Sequence, residues 1–211
     1  MPPKNQVFNL SAEQLDSLAE KVMTKLDERM AAREKFVDEQ LDDLKESSDS
    51  LKNKTDDLEQ RSRMENLRIF GVSEKKGEST DNLVLEVSQK VDVTLTASSI
   101  SRSHRVGPKT AGKTRPIIVK FVSYADRQKL FAAKRKLKGT GITIKEDLTQ
   151  TRQGILRKAT MNYSAQTVWS QNGAIAVKID EHIYRVQTET ELDKLIEEHP
   201  YSESSELFDL L

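Results

Sequence analysis

The residues of this chain best suited to do chemistry are cations. ISRSHRVG (100–107) and RPIIVKFVS (115–123) carry Arg102, His104, Arg105, Arg115 and Lys120 and no acidic residue. Both runs read as strands, because β-branched and aromatic side chains dominate the second and its Pro stands only at the start. Alternation puts Arg102 and His104 on one face and Arg105 on the other. GPKTAGKT between them is a Gly/Pro/Lys loop of the hairpin-connecting kind. Paired strands with this charge point to a polyanion held by charge neutralisation rather than to a reaction.

The groups a catalyst needs do not converge. His104, His182 and His199 show no metal-ligand spacing. There is no cysteine, which closes disulfide, zinc-finger, iron–sulfur and thiol-nucleophile chemistry. No Gly-rich phosphate loop or nucleophile elbow is read. Glu146 and Asp147 are neighbours on a strand, so their carboxylates take opposite faces and make no two-metal site. The chain is therefore expected not to be an enzyme, and to need no metal, cofactor or small-molecule substrate.

The scaffold that must position these cations is polar overall. The composition is 36% hydrophobic and 32% charged, too polar for one compact globule and consistent with a long exposed helix. The formal net charge of zero conceals a division. Residues 11–65 hold 10 Lys/Arg against 16 Asp/Glu, residues 66–188 hold 22 against 10, and residues 189–211 hold 1 against 8. A basic middle between acidic ends is a statement about partners. The start MPPKNQVFNL lacks the apolar run of a signal peptide, and no stretch approaches the length of a membrane span. A soluble, intracellular protein is expected.

Residues 1–10 are expected to be disordered. Ser11 and Gln14 form a capping box that opens a helix over 11–63, a stretch free of Gly and Pro. Met23, Met30, Val37, Leu44, Leu51 and Leu58 recur every seven residues, the seam of a coiled coil. The companion seam is weaker: Leu41 is apolar, but Ser48, Thr55 and Ser62 are not. Leu15, Leu18, Val22, Leu26 and Met30 contain a four-residue stutter upstream. Such a helix, roughly 75 Å long at 1.5 Å per residue, outreaches a small domain and predicts self-association.

Residues 64–148 read β-α-β-β-α-β: NLRIFGV (66–72), a helix over 80–91, strands over 100–106 and 115–123, a helix from Ser123 to Leu137, and ITIKEDL (142–148). The fold class is α+β. Two split β-α-β units of this size predict a ferredoxin-like sandwich with one sheet face free, the arrangement of an RNA-recognition motif. Aligning the first strand on that motif puts Leu67 and Ile69 in the core, with Arg68 and Phe70 on the free face. Arg68 stands where a base-stacking aromatic is usual. Aligning the third strand in the same way puts Pro116, Ile118 and Lys120 outward, and Val119 and Phe121 inward. A small α/β C-terminal domain comes next over 149–199: a basic helix, a hairpin turning at Asn172-Gly173, a further strand, and a helix opened by the capping box at Thr188. Residues 200–211 form an acidic tail whose LFDLL end resembles short docking motifs.

NLRIFGV, SRSHRVG, RPIIVKF and the run KLKGTGITIKEDLT closely resemble the first-open-reading-frame protein of LINE-type retrotransposons, the transposase-22 group, over about residues 58–190. A host protein derived from such an element fits equally. The resemblance implies a coiled coil, a central RNA-recognition motif and a small C-terminal domain. It implies single-stranded RNA binding, extending to single-stranded DNA, and nucleic-acid chaperoning in a cytoplasmic ribonucleoprotein particle, with nuclear access left open. It favours a trimer and implies a cleft between the motif and the C-terminal domain as the RNA site. The matching residues are Arg102, His104, Arg105 and Arg115, with Lys136, Lys138, Arg152 and Arg157 around the junction; Arg68, Phe70 and Lys120 of the sheet face complete the set. Trp169 is expected in the core of the small domain. The alternative reading is a coiled-coil adaptor whose basic domain binds an acidic protein.

Overall fold

The computed structural model of the chain describes residues 11–200. MPPKNQVFNL and the tail containing LFDLL lie outside the described residues. The chain divides into two compact units, residues 1–52 and 53–211.

In the first unit every described residue after Ser11 belongs to helix α1 (Ala12–Ser62). The capping box forms: Ser11 N donates to Gln14 Oε1 at 3.0 Å, and Gln14 N to Ser11 Oγ at 3.3 Å. Met23, Met30, Val37, Leu41, Leu44 and Leu51 are all exposed. An apolar stripe of this length on a helix covers no core within its own unit.

The second unit begins at Asn53, within α1, because the last turns of that helix bond to Asp147 and Arg152. It contains β1 (Asn66–Phe70), α2 (Thr80–Lys90), β2 (Ile100–Arg105), β3 (Ile117–Phe121), α3 (Tyr124–Ala132) and β4 (Thr143–Glu146). These strands make one antiparallel sheet in the order β2-β3-β1-β4. Alternation decides its faces. Leu67, Ile69, Ile117, Val119, Phe121 and Ile144 are buried against Val84, Val87 and Val91 of α2 and its end and Leu130 and Phe131 of α3. Arg68, Phe70, Ile118 and Lys120 alternate with them and are only partly covered.

Then come α4 (Gln150–Asn162), β5 (Val168–Gln171), β6 (Ala174–Ile179), β7 (His182–Val186) and α5 (Glu189–Glu198). The three strands form an antiparallel sheet in chain order. Ile155, Ala159, Val168, Ile175, Val177, Leu192 and Leu195 make a second core. The Asn172-Gly173 turn has φ of 53° and 78°, as a type I′ turn requires. The Thr188 capping box closes, Glu191 N donating to Thr188 Oγ1 at 3.2 Å.

Some ends differ from the sequence expectation. The helix expected to reach Leu137 is α-helical to Ala132 and tightens to a 3-10 turn over Ala133–Leu137, a common helix ending. β3 starts two residues late, because Pro116 has no N–H to offer a ladder; its carbonyl accepts from Val106 N at 2.9 Å.

Two adjacent carboxylates bind these pieces together. Glu146 accepts from Arg127 of α3 at 2.6 Å and from Asn172 N at 2.9 Å, tying the β5–β6 turn to the four-stranded sheet. Asp147 accepts from Arg63 (3.3 Å), Asn66 Nδ2 (2.9 Å) and Arg68 Nε (2.6 Å). Both side chains are buried, so each charge depends on these partners.

Candidate nucleic-acid interface

A groove of about 1160 Å³ runs between the end of the four-stranded sheet, the 3-10 turn after α3, α4 and β5. Local sequence explains its construction. Gly139 and Gly141, with φ of 86° and 76°, turn the chain sharply between the basic turn and β4, so Lys134, Arg135, Leu137 and Lys138 border one opening with the β4 edge. Gly71 sits at the same end: a Cβ there would meet Gly141 O at 2.0 Å, so only glycine permits the approach.

The groove is lined by both cationic and apolar side chains. Lys134, Arg135 and Lys138 come from the turn, Arg68 and Lys145 from the sheet, and Arg157 from α4. Phe70, Leu148, Leu156, Met161, Val168 and Trp169 supply apolar surface. Lys145 Nζ lies 5.6 Å from the Phe70 ring centroid. Lys134 Nζ lies 3.6 Å from the Phe131 centroid, and burial pushes its pKa down against the opposing pull of Glu146, with Arg127 and Arg135 adding to the lowering. Cations around aromatic and aliphatic surface are the requirement of an unpaired nucleic-acid strand, which offers phosphates and unstacked bases together.

Of the residues expected to contact nucleic acid, Arg68, Phe70, Lys138 and Arg157 border this groove. Arg102 and Lys120 are cross-strand partners on the outer sheet face, and His104 faces Ile118 beside them. Lys120 lies 3.5 Å from Glu65, and Lys136 pairs with Asp92 at 3.0 Å; both pairs are exposed enough to exchange with solvent and ligand.

Three arginines depart from the phosphate-binding expectation, because carboxylates of this chain already hold them. Arg105 is 5% exposed; it pairs with Glu78 at 2.7 Å and donates to the carbonyls of Val72, Ser73 and Arg115. It faces the α2 side, opposite Arg102, as strand alternation requires. Arg115 pairs with Glu74 at 2.7 Å. Arg152, 4% exposed, pairs with Asp56 at 2.8 Å and with Asp57, and donates to Gly173 O at 2.9 Å. The guanidinium hydrogen bonds of Arg105 and Arg115 hold the Glu78 and Glu74 carboxyls below the usual glutamate range. Arg68 has a double position: it borders the groove while its Nε is bound to Asp147.

Trp169 is a second correction. It is half-buried on the groove wall rather than in the core, where Val168 sits instead. A phase shift of one residue in a short strand explains the exchange. Lys145 was also missed, although its alternation with Ile144 and Glu146 in ITIKEDL marks it as outward.

The loop 107–114 connects two antiparallel strands, as the hairpin reading of GPKTAGKT expects. It has the G-x-x-x-x-G-K-T spacing of a phosphate loop. In the structure it joins two antiparallel strands, with Thr110 bridged to Lys113, and no helix N-terminus comes after it to cradle phosphate. The match carries no nucleotide site.

Among the described residues no group of three His, Cys, Asp or Glu is arranged to hold a metal, and no helix is long and apolar enough to cross a membrane. No family model matches the chain, and no curated protein matches it.

Proposed function

We propose that this chain is an oligomeric single-stranded RNA-binding protein that acts as a nucleic-acid chaperone in a retrotransposon-type ribonucleoprotein particle, of the LINE first-open-reading-frame kind. The observation that carries the reading is the groove bordered by the cations Arg68, Lys138, Lys145 and Arg157 together with the rings of Phe70 and Trp169. The β2-β3-β1-β4 sheet with both helices on one face supports a ferredoxin-like RNA-recognition motif. The exposed seam from Met23 to Leu58 supports a coiled coil, with a trimer favoured by the family resemblance. Phosphate contacts then supply most of the affinity, and the two rings add sequence-tolerant stacking.

The test is titration of the nuclease-treated full chain with a single-stranded uridine oligonucleotide across a salt series. Affinity is expected to fall linearly with log salt, and single strands of different sequence should bind within about tenfold of one another, roughly 1.4 kcal/mol. A protein that binds no single strand at low salt sinks the reading and leaves the adaptor.

A further inference from the structure

We infer that Asp56, Asp57 and Gln60, in the last turns of α1, are positioning residues for the groove, so that order in this helix end and nucleic-acid binding are thermodynamically linked. The inference rests on the single-strand reading above.

The geometry begins with Gln60, which is 4% exposed although it sits on an otherwise exposed polar helix. Its Nε2 donates to Asp147 O at 3.1 Å, and its Oε1 accepts from Thr149 N at 3.0 Å. One side chain therefore satisfies both sides of the joint between β4 and α4. That joint decides how α4, which carries Arg157, stands against β4, which carries Lys145. Gln60 also closes on the β5–β6 turn: a Cβ on Gly173 would lie 2.7 Å from its Cγ. One turn earlier, Asp56 and Asp57 hold Arg152 of α4, and Arg152 reaches on to Gly173 O.

Three segments that shape the groove thus meet on one helix end: the β4–α4 joint, α4, and the turn after β5. None of Asp56, Asp57 or Gln60 borders the groove itself. They touch bound nucleic acid in no direct way and act through the positions of Arg157, Lys145 and Trp169. The device joins the oligomerising part of the chain to the binding part. Whatever orders the helix end favours one groove geometry, and a ligand that selects that geometry orders the helix end by the same factor.

The experiment uses the full chain and a uridine 20-mer. Gln60→Ala and, separately, the milder Asp57→Asn are compared with wild type and with a groove variant, Lys138→Ala/Arg157→Ala. Affinity is measured across salt, and amide exchange is followed over residues 53–62 with and without the oligonucleotide. Expected for the folded Gln60→Ala protein is a loss of about 5- to 20-fold in affinity, the lower part of the range of ordinary site coupling, with the salt slope unchanged because no phosphate contact is removed. In wild type the oligonucleotide should slow exchange over 53–62, and in Gln60→Ala it should not. Asp57→Asn should shift both readouts in the same direction by a smaller amount. A residue that only stabilises the fold lowers the melting temperature and leaves both readouts alone. If wild type binds, the groove variant weakens binding, and the two helix variants bind like wild type without altered exchange, the linkage is overturned while the RNA reading stands. If wild type fails to bind, or the groove variant binds normally, both fall.

Discussion

Arg127 and Glu146 form an ion pair buried on both sides, Nη2 to Oε1 at 2.6 Å with each side chain 2% exposed. Glu146 also accepts from Asn172 N, and its second oxygen lies 3.4 Å from Gly173 N. The pair joins the two sheets of one unit rather than stabilising either alone. Glu146→Ala leaves a buried guanidinium without its counter-charge, and loss of one partner from such a pair costs about 3–5 kcal/mol. Urea denaturation should show that loss, and a cost under about 1 kcal/mol would mean that the pair is not a joint.

Arg105 and Arg157 are both arginines of the basic middle, and the structure predicts opposite phenotypes for them. Arg105→Ala strands Glu78 and three carbonyls, so stability should drop by about 3 kcal/mol while the folded protein keeps its affinity and salt slope. Arg157→Ala is a surface change, expected to move stability by less than about 0.5 kcal/mol. It should weaken all single strands alike and flatten the salt slope by about 0.7. Thermal melting and salt-dependent binding, run on both variants, separate the two roles.

The Arg105–Glu78 pair also predicts a pH signature. The guanidinium hydrogen bond lowers the folded pKa of Glu78, so its contribution to stability is complete above the unfolded value and is lost as pH falls through the folded one. The stability gap between wild type and Glu78→Gln should stay level from about pH 7 to 5 and narrow below about pH 4, beneath the ordinary glutamate value. A gap that widens on acidification contradicts this sign.

How much of this was legible in the chain depends on whether the signal is local. The β-α-β-β-α-β order, the Asn172-Gly173 turn and the capping boxes at Ser11 and Thr188 are local and were readable. The inward set Leu67, Ile69, Val119 and Phe121 came from aligning the first and third strands on the RNA-recognition motif, and strand alternation agrees with it. The fates of Arg105 and Arg152 were not readable, because their partners Glu78, Asp56 and Asp57 lie 27 or more positions away in sequence. A lysine or arginine looks the same in sequence whether its counter-charge is a phosphate or a distant carboxylate. Gln60 was invisible for a related reason: in the helix pattern it is an ordinary polar position, and its burial comes from Asp147 and Thr149 folding back over it.

The exposed helix seam predicts assembly. Leu44 and Leu51 are 66% and 61% exposed, and a shared seam is where both would be covered. Leu44→Asp with Leu51→Asp introduces charges that cost several kcal/mol, on the order of 2–7 for an unpaired polar group, in such a seam. The wild-type chain should sediment as an oligomer at tens of micromolar and the double variant as a monomer. A wild-type monomer at that concentration removes the coiled coil.

Trp169 supplies the most direct test of the groove, because it is the single tryptophan of the chain and borders the opening. Its intrinsic fluorescence therefore reports one place. A single strand that lays a base on the indole should quench the emission. A duplex of the same sequence keeps its bases stacked and should bind through phosphates alone, leaving the emission nearly unchanged. Trp169→Ala should cost about 1–3 kcal/mol of single-strand affinity, the usual worth of one stacked base, with the salt slope intact. Trp169→Phe should recover most of that loss, since a phenyl ring still offers a face. Melting temperatures guard the interpretation: Val168, not Trp169, sits in the second core, so the alanine variant should remain folded. If duplex and single strand quench equally, or if Phe does no better than Ala, the indole is a wall and not a platform. Affinity then rests on Lys138, Lys145 and Arg157, and the groove distinguishes strands by charge density alone.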